Sequence, residues 1–359
     1  MPPPRHLLVD ISAHGYGHAS MTAPVVNELA RRISGLRITI RTGIPREFLQ
    51  QRLSCDFQYI PAVLDFGMVM RNALEVDAGK SMRAYRDFHR HWEARVGHEA
   101  QAMQALKPDL LLANVPYLSL AAARKSGIPA AAMCCLNWAD IYRHYAEDNA
   151  DAREIHEQIL DAYNGAAMFL RVQPAMPMPD LGNSRSVGPI ARVGLNQKAL
   201  LAEKLSLGSM EKIILAGMGG IEFRLPMEQW PHFDGVRWLV ARSWGIARDD
   251  ISVFENLGLA FSDVLASCDA VLTKPGYGTF AEAACAGVPV LYVPRSDWPE
   301  EPCLVQWLQQ NGTCREVGRD ALQRGEIRNE LEEILAVPGS GPVVPSGVSE
   351  AAEHLVKLF

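Results

Sequence analysis

Short apolar runs alternate with longer amphipathic stretches along the first half of the chain. The runs are four or five residues long, too short for helices and typical of buried parallel strands. They lie at residues 7–11, 36–40, 57–60, 109–113, 130–134 and 168–171. Helical spacing of apolar positions is found at residues 21–33, 47–53, 82–106, 118–125 and 152–162. This alternation predicts an open, mostly parallel sheet with helices packed on it.

The pattern changes at residues 173–194, where several prolines and glycines are typical of an interdomain connection. Further strands are then predicted at residues 212–216, 237–241, 251–254, 270–273 and 290–293, with helices at 326–335 and 349–358. The predicted fold class is α/β, with two tandem Rossmann-like, doubly wound domains. Their predicted bounds are residues 1–190, residues 191–340 and a C-terminal helical segment at 341–359. Because ligands of such sheets bind beyond the carboxyl ends of the strands, a cleft faced by both domains is the expected site.

The composition narrows the choice of partners. The formal net charge of −6 and the absence of a long basic run argue against nucleic acid as a partner. Seven scattered cysteines without a Cys-x-x-Cys pair fit a reducing, cytoplasmic location better than a disulfide framework. No apolar segment reaches the length that spans a bilayer. Peripheral contact with the inner face of the membrane stays open.

Residues 269–294 carry the most informative motif of the chain. A predicted strand at 270–273 ends in a turn with one proline and two glycines, and an Ala-rich helix follows. Such a turn exposes backbone amides at the helix N-terminus, next to Lys274 and about one turn before Glu282. This arrangement suits a phosphate group and a sugar hydroxyl. The alternative is an ordinary tight strand–helix turn with a solvated glutamate.

The motif resembles the donor-binding signature of GT-B fold glycosyltransferases. It is most similar to the family of the lipid I N-acetylglucosaminyltransferase and the diacylglycerol glycosyltransferases. The resemblance implies that the turn holds the diphosphate of a nucleotide-sugar, that Glu282 binds the ribose hydroxyls and that Lys274 neutralises a phosphate. The donor-binding residues that it implies in this stretch are Lys274, Gly276, Tyr277, Gly278, Thr279 and Glu282.

Three further segments match donor-binding positions of the same family. They supply a glycine turn towards the diphosphate, contacts to the base, and acidic contacts to the donor sugar. The residues are, in that order, Gly217, Gly219 and Gly220; Phe254 and Glu255; and Asp297, Glu300 and Glu301. Ordinary turns and acidic residues at a helix start are the competing interpretations. Two prolines in residues 221–235 leave little room for a full helix after the turn that contains Gly217, Gly219 and Gly220. This turn is therefore expected to contribute less to phosphate binding than its counterpart in relatives.

The second strong motif is the Gly/His loop after the first predicted strand. It contains His14, Gly15, Gly17 and His18, and it resembles the Gly-rich loop of the family that ends in a histidine. The resemblance implies that His18 is a general base for an acceptor hydroxyl, which a neutral imidazole can be near pH 7. His14 is a candidate acceptor contact. A metal bound by both histidines is a third interpretation, which the intervening glycines disfavour because they oppose a helix.

The acceptor side is otherwise predicted from position alone. Asn137 and Trp138 follow a strand of the first domain, and Asp65 and Arg71 lie in the irregular stretch at residues 61–80. The resemblance also implies that the last helix packs back across the first domain.

The favoured function is transfer of a sugar from a nucleotide-sugar, with a UDP-linked donor as first choice, to the hydroxyl of an unknown small-molecule or lipid acceptor. The resemblance implies an inverting, metal-independent reaction in which the nucleotide-sugar is a substrate and no cofactor is needed. Two alternatives stay open. One is a nucleotide-sugar hydrolase on the same fold, and the other is a non-catalytic protein that binds sugar nucleotides.

Overall fold

The computed structural model describes residues 4–208, 210–219, 224–295, 297–337 and 339–359. The chain divides into two compact units. Unit 1 comprises Met1–Arg71, Val76–Ile190 and Pro345–Phe359, and unit 2 comprises Asn72–Glu75 and Ala191–Val344. Among the helices of the described residues, none combines the length and the apolar character that crossing a bilayer requires.

Unit 1 contains a sheet of seven parallel strands in the order β3-β2-β1-β4-β5-β6-β7. The strands are β1 His6–Ile11, β2 Arg37–Thr42, β3 Gln58–Pro61, β4 Leu110–Asn114, β5 Ala130–Cys134, β6 Met168–Val172 and β7 Ser184–Val187. The helices are α1 Tyr16–Arg32, α2 Arg46–Gln50, α3 Ala78–His89, α4 Trp92–Leu106, α5 Tyr117–Ser126, α6 Trp138–Tyr145, α7 Ala150–Asn164 and, from the end of the chain, α14 Gly347–Val356. Every residue of β1, β4 and β5 is buried, which explains their largely apolar sequences.

Unit 2 contains a sheet of six parallel strands in the order β10-β9-β8-β11-β12-β13. The strands are β8 Lys212–Ala216, β9 Val236–Val240, β10 Ile251–Val253, β11 Ala270–Thr273, β12 Val290–Tyr292 and β13 Cys314–Glu316. The helices are α8 Lys198–Lys204, α9 Phe261–Ser267, α10 Tyr277–Ala286, α11 Glu301–Asn311, α12 Arg319–Arg324 and α13 Arg328–Ala336. Between β8 and β9, residues 224–235 hold a single 3₁₀ turn, Met227–Gln229, where the two prolines predicted no full helix.

Two predictions about the elements of unit 1 are wrong. The long helix predicted at 82–106 is two helices, because His91 has non-helical dihedral angles and begins α4 after α3 has ended. Both helices are amphipathic, so the periodicity of the sequence did not reveal the break. The segment predicted as a connection at 173–194 contains strand β7. This strand lies at the edge of the sheet and is half exposed, so it needs no apolar run.

Helix α14 packs on α1 within unit 1. Arg32 Nη2 donates a hydrogen bond to Ser349 Oγ at 2.8 Å. The backbone N–H of Gly188 donates to a carboxylate oxygen of Glu350, also at 2.8 Å. The last segment of the chain therefore completes unit 1, although it follows unit 2 in sequence.

The strand order reverses direction at one point in each sheet. The first strand of unit 1, β1, lies beside β4, and the first strand of unit 2, β8, lies beside β11. Loops that leave such neighbouring strands in opposite directions open a crevice at the carboxyl ends, where ligands of doubly wound sheets bind. Both sequence motifs lie at these strands. The Gly/His loop follows β1, and the 269–294 motif contains β11 and the turn after it.

Candidate functional site

The turn after β11 exposes the N-terminus of a helix. Gly276 is the N-cap of α10, and no side chain caps the helix there. The backbone N–H groups of the first helical turn have no acceptor within the helix, and the helix dipole favours a negative ligand beside them. Tyr277 is buried, whereas Gly278 and Thr279 are half-buried beside it. The anionic ligand that the motif predicts at this helix end stays a prediction.

Lys274 places a positive charge over two glycine turns of unit 2. A Cβ atom on Gly219 would lie 3.5 Å from Lys274 Cε, and one on Gly276 would lie 3.7 Å from Nζ. The half-buried ammonium makes no hydrogen bond or ion pair with any residue that the structure describes. Burial, followed by the nearby charge of Arg295, lowers the pKa of Lys274 to about 8. A cation that lacks a partner and lies beside a helix N-terminus is suited to bind an anion.

The turn after β8 contributes its backbone. The N–H of Gly217 donates to the carbonyl of Leu272 at 2.9 Å and continues the ladder between β8 and β11. Gly219 has a φ of +81°, a conformation that favours glycine. A Cβ at this position would be in van der Waals contact with Lys274 Cε. Gly220, the third glycine predicted in this turn, lies outside the described residues.

The three acidic residues predicted to contact a donor sugar differ in their exposure to solvent. Asp297 is exposed, whereas Glu300 is 5% exposed and accepts a hydrogen bond from Trp298 Nε1 at 2.9 Å. Glu301 accepts one from the backbone N–H of Arg295, also at 2.9 Å, and burial raises the pKa of its carboxyl group. These bonds order the loop after β12. The guanidinium of Arg295 also stacks over the ring of Trp298, with its Cζ atom 4.1 Å from the ring centroid.

The remaining predicted donor contacts lie on α10 and at the edge of the sheet. Glu282 is half-buried on α10, six residues after the N-cap. Phe254 and Glu255 open a 3₁₀ turn after β10, which is three strands away from β11, or roughly 14 Å at the usual strand spacing. The Glu255 carboxylate accepts from the backbone N–H of Arg242 at 3.0 Å. The structure therefore groups the glycine turns with Lys274 and places the predicted base contacts at a distance from them.

In unit 1, the Gly/His loop leads directly into α1. Gly15 is the N-cap, and the helix begins at Tyr16, five residues before its predicted start at residue 21. The expectation that the glycines oppose a helix is wrong for this turn. Gly17 lies among the first residues of α1, where the backbone N–H groups have no helical partner in any case, so a glycine costs little there. His18 consequently lies in the first turn of the helix.

His18 is oriented by Asn114, the last residue of β4. Its Nδ1 atom lies 2.8 Å from Asn114 Oδ1. The amide nitrogen of Asn114 faces the backbone carbonyl of His18 at 3.4 Å, so the amide oxygen is the atom that faces the ring. Nδ1 must then carry a proton and donate it to this oxygen. In the neutral ring, Nε2 is left as the atom that can accept a proton, which is the form a general base requires.

The thiol of Cys134, the last residue of β5, lies 3.8 Å from His18 Nδ1. Burial lowers the pKa of His18, but the hydrogen bond and charge of Cys134, followed by Asn114 and Asp65, outweigh it and raise the pKa to about 9. For Cys134, burial raises the pKa, but hydrogen bonds from Cys135 and His18 and the His18 charge lower it to about 6. The two groups therefore titrate as a pair.

Asp65 is a buried carboxylate near His18 and Cys134. Its carboxylate is 4% exposed and accepts hydrogen bonds from Ser12 Oγ and Trp138 Nε1, both at 2.8 Å. Burial raises its pKa. The ring of His14 packs edge-on against Trp138 with centroids 5.1 Å apart. Gly67, with φ +60°, leaves room for both rings, because a Cβ there would lie within 2.7 Å of each.

Two residues of the predicted acceptor side hold the fold together. Asn137 is the N-cap of α6, and its side chain accepts from the backbone N–H of Asp140 at 2.8 Å. Trp138 is completely buried and donates to Asp65. The prediction overlooked Asn114 and Cys134 as partners of His18. The available signal was that each ends a strand in the same sheet as β1.

The structure describes one group of three possible metal ligands. His232, Asp249 and Asp250 offer ligand atoms within 4.8 Å of one another on the surface of unit 2. Asp250 is already paired with Arg248 at 2.5 Å. Within the described residues, His14 and His18 belong to no such group.

Comparison with known proteins identifies the fold. No protein-family model matches the chain. The L-arabinokinase of Arabidopsis thaliana is 24% identical over 353 residues, which are 97% of this chain but 34% of that protein. The chain thus spans about a third of this relative's length.

Solved structures resemble the whole chain. The glycotransferase of kitacinnamycin matches with a TM-score of 0.62 at 16% identity, covering 99% of this chain and 96% of the other. UGT89C1 of Arabidopsis thaliana in complex with UDP matches with a TM-score of 0.59 at 15% identity, covering 98% and 99%, and the same protein has been solved with quercetin. These likenesses confirm the predicted fold class: two tandem Rossmann-like domains of the GT-B type.

Proposed function

We propose that the chain is a glycosyltransferase that takes a sugar from a UDP-linked donor. Unit 2 would hold the donor, and unit 1 would activate the hydroxyl of the acceptor. The proposal rests most heavily on Lys274, whose ammonium has no hydrogen-bond or ion-pair partner among the described residues and lies near Gly219 and Gly276 at the N-terminus of α10. A diphosphate supplies the negative charge that this arrangement lacks.

The nucleotide would extend from the helix end to the edge of the sheet. Glu282, half-buried on α10, would receive the ribose hydroxyls, and Phe254, half-buried beyond β10, would pack against the base. UDP is favoured over other nucleotides because UGT89C1, which shares the fold, was solved with UDP. The resemblance to lipid-glycosylating transferases favours a lipid acceptor, whereas the quercetin complex of that protein favours a small aromatic one.

His18 would remove the proton from the acceptor hydroxyl. Asn114 fixes Nδ1 as a donor, so in the neutral ring Nε2 accepts the proton while the oxygen attacks the anomeric carbon. With a pKa of about 9, about 1% of His18 is neutral at pH 7 in the free protein, against the expectation of a neutral imidazole at that pH, so this base acts best at higher pH. Attack on the face opposite the leaving diphosphate inverts the configuration. Lys274 and the first N–H groups of α10 would stabilise the charge that develops on the leaving diphosphate, without a metal ion.

Hydrolysis of the donor is a second candidate. His18 is half-buried as a residue, and a base in this position can activate water in place of an acceptor hydroxyl. The two reactions differ in what is released when no acceptor is present.

Incubation of the purified protein with a panel of UDP-sugars separates these functions. A transferase releases UDP quickly only when an acceptor is added. Stoichiometric release of free sugar without an acceptor would instead identify the protein as a hydrolase. Calorimetric titration with the same panel tests donor binding. If no UDP-sugar binds, or if Glu282→Ala binds as tightly as the wild type, the donor assignment fails.

A further inference from the structure

A groove in unit 1 has no role in the site described above. Helix α3 forms one wall, and α6 with the start of α7 forms the other. Its volume is about 360 Å³, which lies within the usual size of small-molecule sites. Its lining shares no residue with the cluster around His18.

Two arginines of α3 line the first wall. Arg83 and Arg86 are exposed, and neither makes a hydrogen bond or ion pair with any residue of the described chain. They are three residues apart, which places them about 4.5 Å apart along one helix face. Like charges in this position repel each other and destabilise the helix slightly. An oxyanion between them would remove the repulsion and accept several charge-assisted hydrogen bonds.

The second wall carries a different chemistry. It presents the half-buried Tyr145 and two exposed carboxylates, Glu147 and Asp151, and Tyr142 lies beneath them with 2% of its surface exposed. Burial raises the pKa of Tyr142, the charge of Arg86 opposes this, and Asp151 adds to it. The pKa of the Tyr142 phenol is therefore influenced by charged residues of both walls. Carboxylates accept hydrogen bonds from hydroxyl groups, and tyrosine offers an apolar ring face with a polar end.

The groove lies close to His18 along α6. This helix begins at Trp138, whose ring centroid is 6.0 Å from that of His18. Tyr142 follows one turn later, about 6 Å along the helix axis. Trp138 and Tyr142 are both buried, so they fix the separation of the groove from His18 at about 12 Å, roughly the length of a disaccharide. A ligand that spans this distance over the surface presents a hydroxyl to His18.

We propose that the groove binds the acceptor, and that the acceptor is an acidic carbohydrate whose phosphoryl or carboxylate group lies against Arg83 and Arg86. Its hydroxyl groups would face Glu147 and Asp151, and its ring would pack on Tyr145. This inference rests on the proposed transferase function, because it assigns the acceptor of that reaction.

The test titrates the UDP-saturated protein with glucose 1-phosphate, glucuronate and glucose, and follows the Nε–H signals of the arginines by NMR. Saturation with UDP keeps the phosphate away from α10. At least one acidic sugar should shift the signals of Arg83 and Arg86, and glucose should bind about tenfold more weakly or not at all. The two acidic sugars distinguish a phosphoryl site from a carboxylate site.

The double variant Arg83→Gln/Arg86→Gln should weaken binding of the acidic sugar by about tenfold or more. Arg90→Gln is the matched control, because it removes the same charge from an exposed residue that follows α3 and lies outside the groove. If neither acidic sugar binds, or if the double variant binds as well as the wild type, the inference is wrong. Intact UDP binding in these experiments would leave the proposed function standing, whereas loss of UDP binding in the wild type would refute that function instead.

Discussion

Replacement of Lys274 by methionine removes the positive charge at the N-terminus of α10 while keeping an unbranched side chain. The ammonium of Lys274 makes no hydrogen bond or ion pair with the described residues, so its removal breaks none of these, and unit 2 should keep its stability. A charge-assisted hydrogen bond contributes about 1.5–3 kcal/mol. Lys274→Met should therefore weaken UDP binding by about 10- to 100-fold at pH 7.

The lowered pKa of Lys274 adds a dependence on pH. With a pKa of about 8 in the free protein, about 90% of the side chain is charged at pH 7 and about 10% at pH 9. A bound diphosphate favours the charged form and raises this pKa, so binding takes up a proton. Affinity for UDP should be greatest below pH 8 and fall about tenfold between pH 7 and pH 9, with uptake of about half a proton at pH 8.

Isothermal titration calorimetry of UDP in buffers of different ionisation enthalpy measures both quantities. Lys274→Arg keeps the charge without titrating in this range, so any pH dependence that it shows belongs to UDP itself. Lys204→Met is the matched control, since Lys204 is an exposed lysine on α8 of the same unit. The reasoning is refuted if Lys274→Met binds UDP like the wild type, or if wild-type binding takes up no proton at pH 8.

Three further predictions concern unit 1. His18→Ala should abolish turnover of a UDP-sugar and leave its affinity unchanged by calorimetry; unchanged turnover would remove His18 as the base. Cys134→Ala removes the largest effect that raises the pKa of His18, so the rise of kcat/KM with pH should move from about 9 to a lower pH, and an unmoved profile would contradict the coupling. Arg41→Met leaves the carboxylates of Asp10 and Glu99 buried without the guanidinium that lies 2.5 Å from each, and urea denaturation should show a loss of about 3–5 kcal/mol; a loss below about 1 kcal/mol would show that the ion triad contributes little.

The central strands were predicted accurately because burial on both faces leaves a clear apolar run. Strands β5, β8 and β11 have the predicted bounds. Edge strands do not have this signature: β7 and β13 are short and partly exposed, with polar sequences. A pattern of hydrophobic residues therefore finds the middle of a parallel sheet more reliably than its edges.

The glycine turns were also visible in the sequence, because glycine and proline act locally. The partners of His18 were not. Asn114 and Cys134 are 96 and 116 residues away from it in sequence, and only the order of the strands brings them together. The same holds for Lys274, whose motif predicted a phosphate contact but not that its ammonium would lie over both glycine turns of unit 2.

A crystal structure of the protein with UDP tests the central claim most directly. The account predicts the diphosphate at the N-terminus of α10, with Lys274 Nζ within about 3 Å of a phosphate oxygen, and the ribose hydroxyls at Glu282. UDP bound away from the turns after β8 and β11, or no UDP bound at millimolar concentration, would contradict it.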